Sequence, residues 1–292
     1  MNDRAGDRGR VAGRTSVHLP FTRAVHAARS LAFILLCALH LVLIVEPLNW
    51  LVIAPVVTLF PSRRSQVIRT WLRIHAGFAL WLAGAVAGVR RETSGGLPAE
   101  SCVVVMNHQS LFDIPLAVML LPGPYPLIPC RASYSRGIPG ISFIIRWMRC
   151  PLLFQGRSAS RAEVLGLRNA AEEVARGDHS MVIYPEGHRS RDGQILPFMR
   201  VGLRLVLGTA RGRPVHAVVA DGLSHLRTLP DTLRGLTGST IRTRVLGPYP
   251  VPAEDAELDA FMDHLRADMM LALAELRGEQ AAAREAPSAV RA

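Results

Sequence analysis

The sequence predicts an α/β fold with a mixed or mostly parallel sheet flanked by helices, preceded by an N-terminal membrane-associated helical segment. Three observations carry this expectation: short apolar runs bounded by turn residues recur from Cys102 onward, helical stretches separate several of them, and long apolar runs lie before residue 90. With 292 residues the chain has room for one sizeable α/β domain and an appendage, and a second full domain is not expected. The expected organisation is a basic, partly disordered N-terminus over 1–30, membrane-associated helices over 31–90, the main domain over 91–277 and a tail over 278–292.

The elements follow in order. Residues 1–20 are rich in Arg, Gly and Asp, a composition that buries little apolar surface. An uninterrupted apolar run covers 31–45, Glu46-Pro47 breaks it, and 48–60 is apolar again apart from Asn49. Neither piece alone reaches the roughly 20 residues of a straight span. Arg23 and Arg29 flank one side and Arg63, Arg64, Arg69 and Arg73 the other, so the positive-inside rule favours both ends in the cytoplasm. A shallow hairpin bent at Glu46-Pro47 satisfies this, with a single tilted span as its main competitor; a cleaved signal peptide lacks a cleavage site after the apolar run. Residues 71–89, rich in Gly and Ala with Trp71 and Trp81, fit either an interfacial helix or one packed on the domain.

Strands are expected near 102–105, 126–129, 150–154, 181–184, 214–219 and 240–246. Ser160 with Glu163 forms a capping box opening a helix that Gly177 ends after Arg176. Leu258, Phe261, Met262, Leu265, Met269 and Leu273 form a helical stripe expected to be core.

Two strand-to-turn junctions carry chemistry. In Asn107-His108-Gln109-Ser110-Leu111-Phe112-Asp113 an imidazole and a carboxylate stand five residues apart between an apolar strand and an apolar helix over 114–121. Ser110 and Asp113 have capping-box spacing, with Ser110 as the expected N-cap. Positions five apart on a helix diverge by roughly 140°, so contact between the two requires the chain to fold back before the helix begins. Asp113 on one ring nitrogen of His108 would fix the tautomer and leave the other nitrogen as a general base. The same residues also fit an ordinary capped turn with a nearby loop histidine. In Pro185-Glu186-Gly187-His188-Arg189-Ser190, a second strand end brings a carboxylate, a glycine that permits close backbone approach and an arginine whose planar fork suits a phosphate. An ordinary turn with a surface ion pair is the plain alternative.

Together NHQSLFD and PEGHRS resemble the signature blocks of the glycerolipid acyltransferase family. Between and after them, Cys130-Arg131-Ala132, Gly137-Ile138-Pro139-Gly140, Leu153-Phe154-Gln155-Gly156-Arg157, the stretch from Leu196 to Gly202 and the apolar run 214–222 look like the family's remaining blocks, so the resemblance covers about Val103 to Gly222. The sequence departs from the family pattern at His188, where threonine is usual, at Gln155-Gly156 and at Ala217, departures that bear on the substrate. The resemblance implies O-acyl transfer from acyl-CoA or acyl carrier protein to a lysophospholipid, with the 2-hydroxyl of lysophosphatidic acid as acceptor and no cofactor beyond the thioester substrate. His108 and Asp113 would be catalytic, and Arg131, Arg157, Glu186, Gly187 and Arg189 would bind substrate. Ser110 reads as a cap, Arg200 as a weaker substrate candidate, and backbone N–H groups near Gly187 as candidates for an oxyanion hole. Acylation of glycerol-3-phosphate or of a lyso-aminolipid is the alternative, as is an inactive membrane scaffold.

Composition narrows the partners. The sequence contains no lysine, so all 34 basic residues are arginine and the formal net charge is +11. The arginines are dispersed, no nucleic-acid-binding motif occurs and 49% of residues are hydrophobic, which favours an anionic membrane surface and phosphate-bearing substrates over nucleic acid. Cys37, Cys102, Cys130 and Cys150 lack metal or redox spacing, the histidines lack zinc-site pairings, and no metal is expected. The expected location is the cell membrane, with the catalytic domain on the cytoplasmic side.

Overall fold

The computed structural model describes residues 18–154, 159–226 and 228–278. The first residues of the expected disordered N-terminus, the tail from 279 onward, and Gln155, Gly156 and Arg157 lie outside the described residues.

The first helical rod joins α1 (His18–Leu39), α2 (Glu46–Leu48) and α3 (Ala54–Leu59) through π-helical turns at His40–Val45 and Asn49–Ile53. The bend expected at Glu46-Pro47 is therefore absent, and backbone dihedrals stay right-handed helical on either side of it. A proline in a regular helix lacks a donor and collides with the carbonyl four residues back. Here each wide turn ends just before a proline, Pro47 or Pro55, and its closing N–H bonds five residues back, Glu46 to Leu41 and Ala54 to Asn49. The wide turns also set the packing. Val45, Asn49, Ile53 and Val57 are all buried at intervals of four, a spacing that drifts around a helix of 3.6 residues per turn and that insertion of wider turns keeps on one face. The reversal instead falls at Phe60 (φ −123°, ψ 68°) and the 3-10 turn Pro61–Arg63, after which α4 (Arg64–Ala87) runs back along α1. Gly88, in the left-handed region at φ 66°, ends α4.

The main sheet has the order β1-β8-β7-β2-β6-β3, built from β1 (Arg90–Ser94), β2 (Val103–Met106), β3 (Pro126–Leu127), β6 (Ser180–Ile183), β7 (Val215–Asp221) and β8 (Thr240–Tyr249). β7, β2, β6 and β3 are mutually parallel; β8 is antiparallel to β7, and β1 pairs parallel with β8. The sheet is mixed, as expected. β4 (Cys130–Arg131) and β5 (Leu152–Leu153) form a separate parallel pair.

Successive residues of β2 point to opposite faces: Val103 and Val105 join one buried cluster, Val104 and Met106 the other. Helices cover both faces, so the strand is apolar throughout rather than alternating. The first cluster is closed by α7 (Arg161–Arg176), α8 (Arg200–Thr209) and α10 (Leu258–Arg277), and the second by α1, α4, α5 (Asp113–Leu120) and Leu236, which directly follows α9 (Leu229–Gly235). Short helix α6 (Ile141–Trp147) packs on the first through Phe143. The stripe on α10 is core, with Leu258, Met262, Leu265, Met269 and Leu273 buried. The Ser160–Glu163 capping box forms both of its hydrogen bonds and Gly177 (φ 90°) ends α7. The four cysteines are unpaired.

Candidate active site

Parallel strands deliver their C-terminal ends to one edge of the sheet, where α/β proteins bind ligands. β2 leads into the block at His108 and its neighbour β6 into the block at Glu186, so residues remote in sequence meet there.

Between β2 and α5 the chain makes the fold-back that the His–Asp spacing demanded. His108 Nδ1 lies 2.8 Å from Asp113 Oδ2, and the same oxygen accepts the N–H groups of Gln109 (2.7 Å) and Ser110 (2.8 Å). Asp113 is buried at the first position of α5, where the helix dipole favours a carboxylate. Ser110 is not the helix N-cap that the spacing suggested. Its hydroxyl accepts the Phe112 N–H at 3.1 Å, while the Asp113 N–H goes to the Ser110 carbonyl, so only the carboxylate half of the capping box forms. The His108 ring stacks on Tyr184, with centroids 4.5 Å apart and planes 30° from parallel. The imidazole is thus held by a carboxylate and by an aromatic face, and its side chain remains 18% exposed.

Glu186 ties the two blocks together. One carboxylate oxygen accepts the His108 N–H at 2.8 Å and the other the Leu196 N–H at 3.0 Å. The Ser190 N–H completes the tie by donating to the His108 carbonyl at 2.8 Å. Burial raises the Glu186 pKa, opposed by the two backbone hydrogen bonds. Its role in this geometry is to brace His108 and the 185–196 loop.

Gly187 adopts φ 71°, and a Cβ there would lie 2.3 Å from the Met199 sulfur. Gly187→Ala is expected to cost about 1–2 kcal/mol for the left-handed backbone alone. With the displacement of Met199 added, the melting temperature should fall by roughly 4–8 °C. Gly187→Ala with Met199→Ala should recover only the steric part, which thermal melts of the two variants measure. The Gly187 N–H itself closes a turn on the Tyr184 carbonyl at 3.1 Å, which removes that one group from the backbone N–H donors near Gly187 expected to face an oxyanion.

Of the expected phosphate-binding arginines, Arg189 is half-buried two residues beyond Gly187 and forms no ion pair or hydrogen bond with the described residues. Arg131 is exposed on β4, four residues beyond the end of β3, and is likewise unpaired. Because β3 is parallel to β6, Arg131 follows the same edge of the sheet as Arg189. Arg157 lies outside the described residues. Arg200 is committed elsewhere, to Asp259 and Asp263 of α10. His188 is exposed.

Other supporting groups had no local signal. Asn107 acts as a side-chain strand, donating to the Ala220 carbonyl (2.9 Å) and accepting the Ala220 N–H (2.8 Å). Gln109 donates to the Gly193 carbonyl and to Asp221, which pairs with Arg277 from the last turn of α10 at 2.9 Å. Burial raises the Asp221 pKa, yet the Arg277 guanidinium outweighs it and the net shift is downward. This buried charge network fixes the underside of the His108 turn. Tyr184 contributes a ring face and a hydroxyl that is buried without a partner among the described residues; burial, then the Asp113 charge, holds its pKa well above normal.

Residues 89–220 match the family model described as Acyltransferase. A 1-acyl-sn-glycerol-3-phosphate acyltransferase of Pseudomonas aeruginosa is 24% identical over 225 residues, covering 74% of this chain and 82% of that protein. The 1-acyl-sn-glycerol-3-phosphate acyltransferase alpha of Homo sapiens is 25% identical over 193 residues, 65% of each chain, so this chain spans just under two thirds of that relative. The crystal structure of the 1-acyl-sn-glycerophosphate (LPA) acyltransferase PlsC from Thermotoga maritima has the same fold, with a TM-score of 0.62 at 21% identity over 88% of this chain and 97% of that one.

Proposed function

We propose that this chain is a glycerolipid acyltransferase, a reading supported by the match of residues 89–220 to the Acyltransferase family model, and that it transfers a fatty acyl group from a thioester to the 2-hydroxyl of lysophosphatidic acid at a membrane surface. The observation that carries the reading is the His108–Asp113 contact at 2.8 Å, in a ring stacked on Tyr184 and open to solvent at its edge. Asp113 accepts a hydrogen bond from Nδ1–H, which keeps that proton on Nδ1 and leaves Nε2 unprotonated and able to act as a base. The acceptor hydroxyl gives its proton to Nε2 as its oxygen attacks the thioester carbonyl. Asp113 stabilises the imidazolium that forms. The tetrahedral intermediate then expels the thiolate, the C–S bond breaks, and the imidazolium returns the proton to sulfur. Phosphatidic acid and free thiol are the products, with His108 restored. A thioester is already activated, so no acyl-enzyme is required and Ser110, engaged in the turn, stays a structural residue.

Arg189 and Arg131, unpaired at the same sheet edge, supply cations for the acceptor phosphate. A hydrogen bond to a charged group contributes about 1.5–3 kcal/mol. Arg189→Ala is therefore expected to raise KM for lysophosphatidic acid roughly 10- to 100-fold. It should leave transfer to an acceptor lacking phosphate, such as monoacylglycerol, nearly unchanged, and kinetics on the two acceptors measure the difference. An acceptor panel on the pure protein, with lysophosphatidic acid, glycerol-3-phosphate and a lyso-aminolipid, tests the substrate; preference for either of the last two overturns it. Coenzyme A and carrier-protein thioesters are compared in the same assay.

Membrane attachment is read from the first helical rod. The stretch Thr22–Leu59 is 38 residues long and apolar enough to cross a bilayer, about 57 Å at 1.5 Å per residue against a hydrocarbon core of about 30 Å. Ser30, Phe33, Val45, Asn49, Ile53 and Val57 pack on the rest of the protein along its length, while Leu35, Leu39, Leu43, Leu51 and Leu59 are exposed. A rod bound along its length to the domain and apolar on its outer side suits a helix lying in one leaflet. That arrangement lets lysolipid and acyl chain reach the site without leaving the bilayer, with the catalytic domain on the cytoplasmic side by the arginine flanks.

A further inference from the structure

The arginines divide by partner. Among the described residues, every arginine in an ion pair with a carboxylate lies at position 176 or later. Arg63 and Arg64, at the reversal between α3 and α4, and Arg146 and Arg149, at the end of α6, have none. Two of these four come together. Trp50, Arg64, Arg146 and Trp147 line an open cavity of about 440 Å³, remote in sequence from the His108 and Glu186 blocks.

The cavity is built rather than incidental. The Arg64 guanidinium lies 5.5 Å from the centroid of the Trp147 ring and donates to the Trp147 carbonyl, which holds it in place without neutralising it. Trp50 meets Phe143 edge-on at 5.2 Å, and Phe143 stacks on Trp147 at 5.4 Å, giving an aromatic wall. The Trp50 N–H donates to Glu46, whose other oxygen accepts the Gly140 N–H at 2.6 Å; that carboxylate clamps the rod to the loop before α6. Arg146 is exposed, and its side chain makes no ion pair or hydrogen bond with the described residues. Next to Trp50 along the rod is Leu51, 74% exposed, and the rod ends four residues before Arg64 at Phe60, 55% exposed. Tryptophan next to arginine at the margin of an apolar surface is the composition of a bilayer headgroup layer.

We propose that this cavity receives the headgroup phosphate of an anionic membrane phospholipid, a site separate from the one that binds the lysolipid substrate. The aromatic walls and the adjoining apolar rod favour a phosphate carried on a lipid over one free in solution. The proposal rests on the membrane-surface reading of the rod and adds to it a preference for lipid charge located at two named arginines.

Vesicle flotation of the full chain tests it, with neutral phosphatidylcholine vesicles and with vesicles containing a minority of phosphatidylglycerol. The wild type should prefer the anionic vesicles, and each arginine removed should cost about fivefold of that preference, roughly 25-fold for Arg64→Ala/Arg146→Ala. Arg146→Glu should lose the preference with an unchanged melting temperature, a variant that keeps the test independent of Arg64 and its backbone contact. Binding to neutral vesicles should be the same in all three proteins. Retention of the anionic preference in both variants, or an equal fall on neutral vesicles, overturns the proposal. Loss of the wild-type preference in excess inorganic phosphate at matched ionic strength also overturns it, in favour of a small-anion site. Failure of the wild type to bind either vesicle overturns the membrane reading itself.

Discussion

Asp113→Asn is expected to lower kcat for acyl transfer by about 10²–10⁴, with KM changed only a few-fold. The asparagine oxygen still accepts the N–H groups of Gln109 and Ser110, which the carboxylate meets at 2.7 and 2.8 Å, so the turn persists. What disappears is the negative charge beside the imidazole, and with it the stabilisation of the imidazolium formed as the acceptor hydroxyl is deprotonated. Asp113→Ala goes further, because it leaves two N–H groups without their acceptor in a buried turn, at roughly 1–3 kcal/mol each. The pair therefore separates electrostatics from scaffolding: both variants lose turnover, and only the alanine variant melts markedly lower. In a His108→Ala background the Asp113→Asn change should have almost no further effect on rate, since residues acting as one unit are strongly non-additive. Single-turnover rates and thermal melts of the single and double variants measure all of this.

The second large effect is expected at Glu186. Its buried carboxylate spans the N–H groups of His108 and Leu196, so Glu186→Ala strands two backbone donors and disconnects the two signature turns. At roughly 1–3 kcal/mol per stranded donor, the loss is about 2–6 kcal/mol, a large share of the 5–15 kcal/mol that holds a typical domain folded. Glu186→Gln keeps one acceptor but turns an amide N–H toward the other backbone donor, so it should recover only part of the loss. Activity should fall with stability in the alanine variant, because the His108 main chain moves with the 185–196 loop. A Glu186→Ala protein with wild-type melting would show that the carboxylate serves substrate binding alone.

These two residues also mark what could be read from the amino acids. His108, Asp113 and Glu186 stand in short blocks at strand ends, and the five-residue spacing of His108 and Asp113 already demanded a fold-back that the turn supplies. The buried apolar strand β2 and the α7 capping box were legible because they depend on neighbours along the chain. The Gln109–Asp221–Arg277 network was not, since its members are 112 and 56 positions apart and only the sheet brings them together. β1 was missed for a different reason: Arg-Arg-Glu-Thr-Ser is exposed at every position on the sheet edge and has no apolar period to read. Pro47 misled in the opposite direction. A proline normally breaks a helix, and the π-helical turn that accommodates it here leaves no signature in the sequence.

The most direct test of the central claim is transfer of a labelled acyl group from a thioester to lysophosphatidic acid in mixed micelles, with the wild-type protein beside His108→Ala. The predicted result is formation of labelled phosphatidic acid by the wild type and a fall of about 10²–10⁴ in the variant, with melting and vesicle binding retained. Wild-type activity that survives the loss of the imidazole, or no transfer to this acceptor by the folded wild type, would contradict the assignment of His108 as the base of a lysophosphatidic acid acyltransferase.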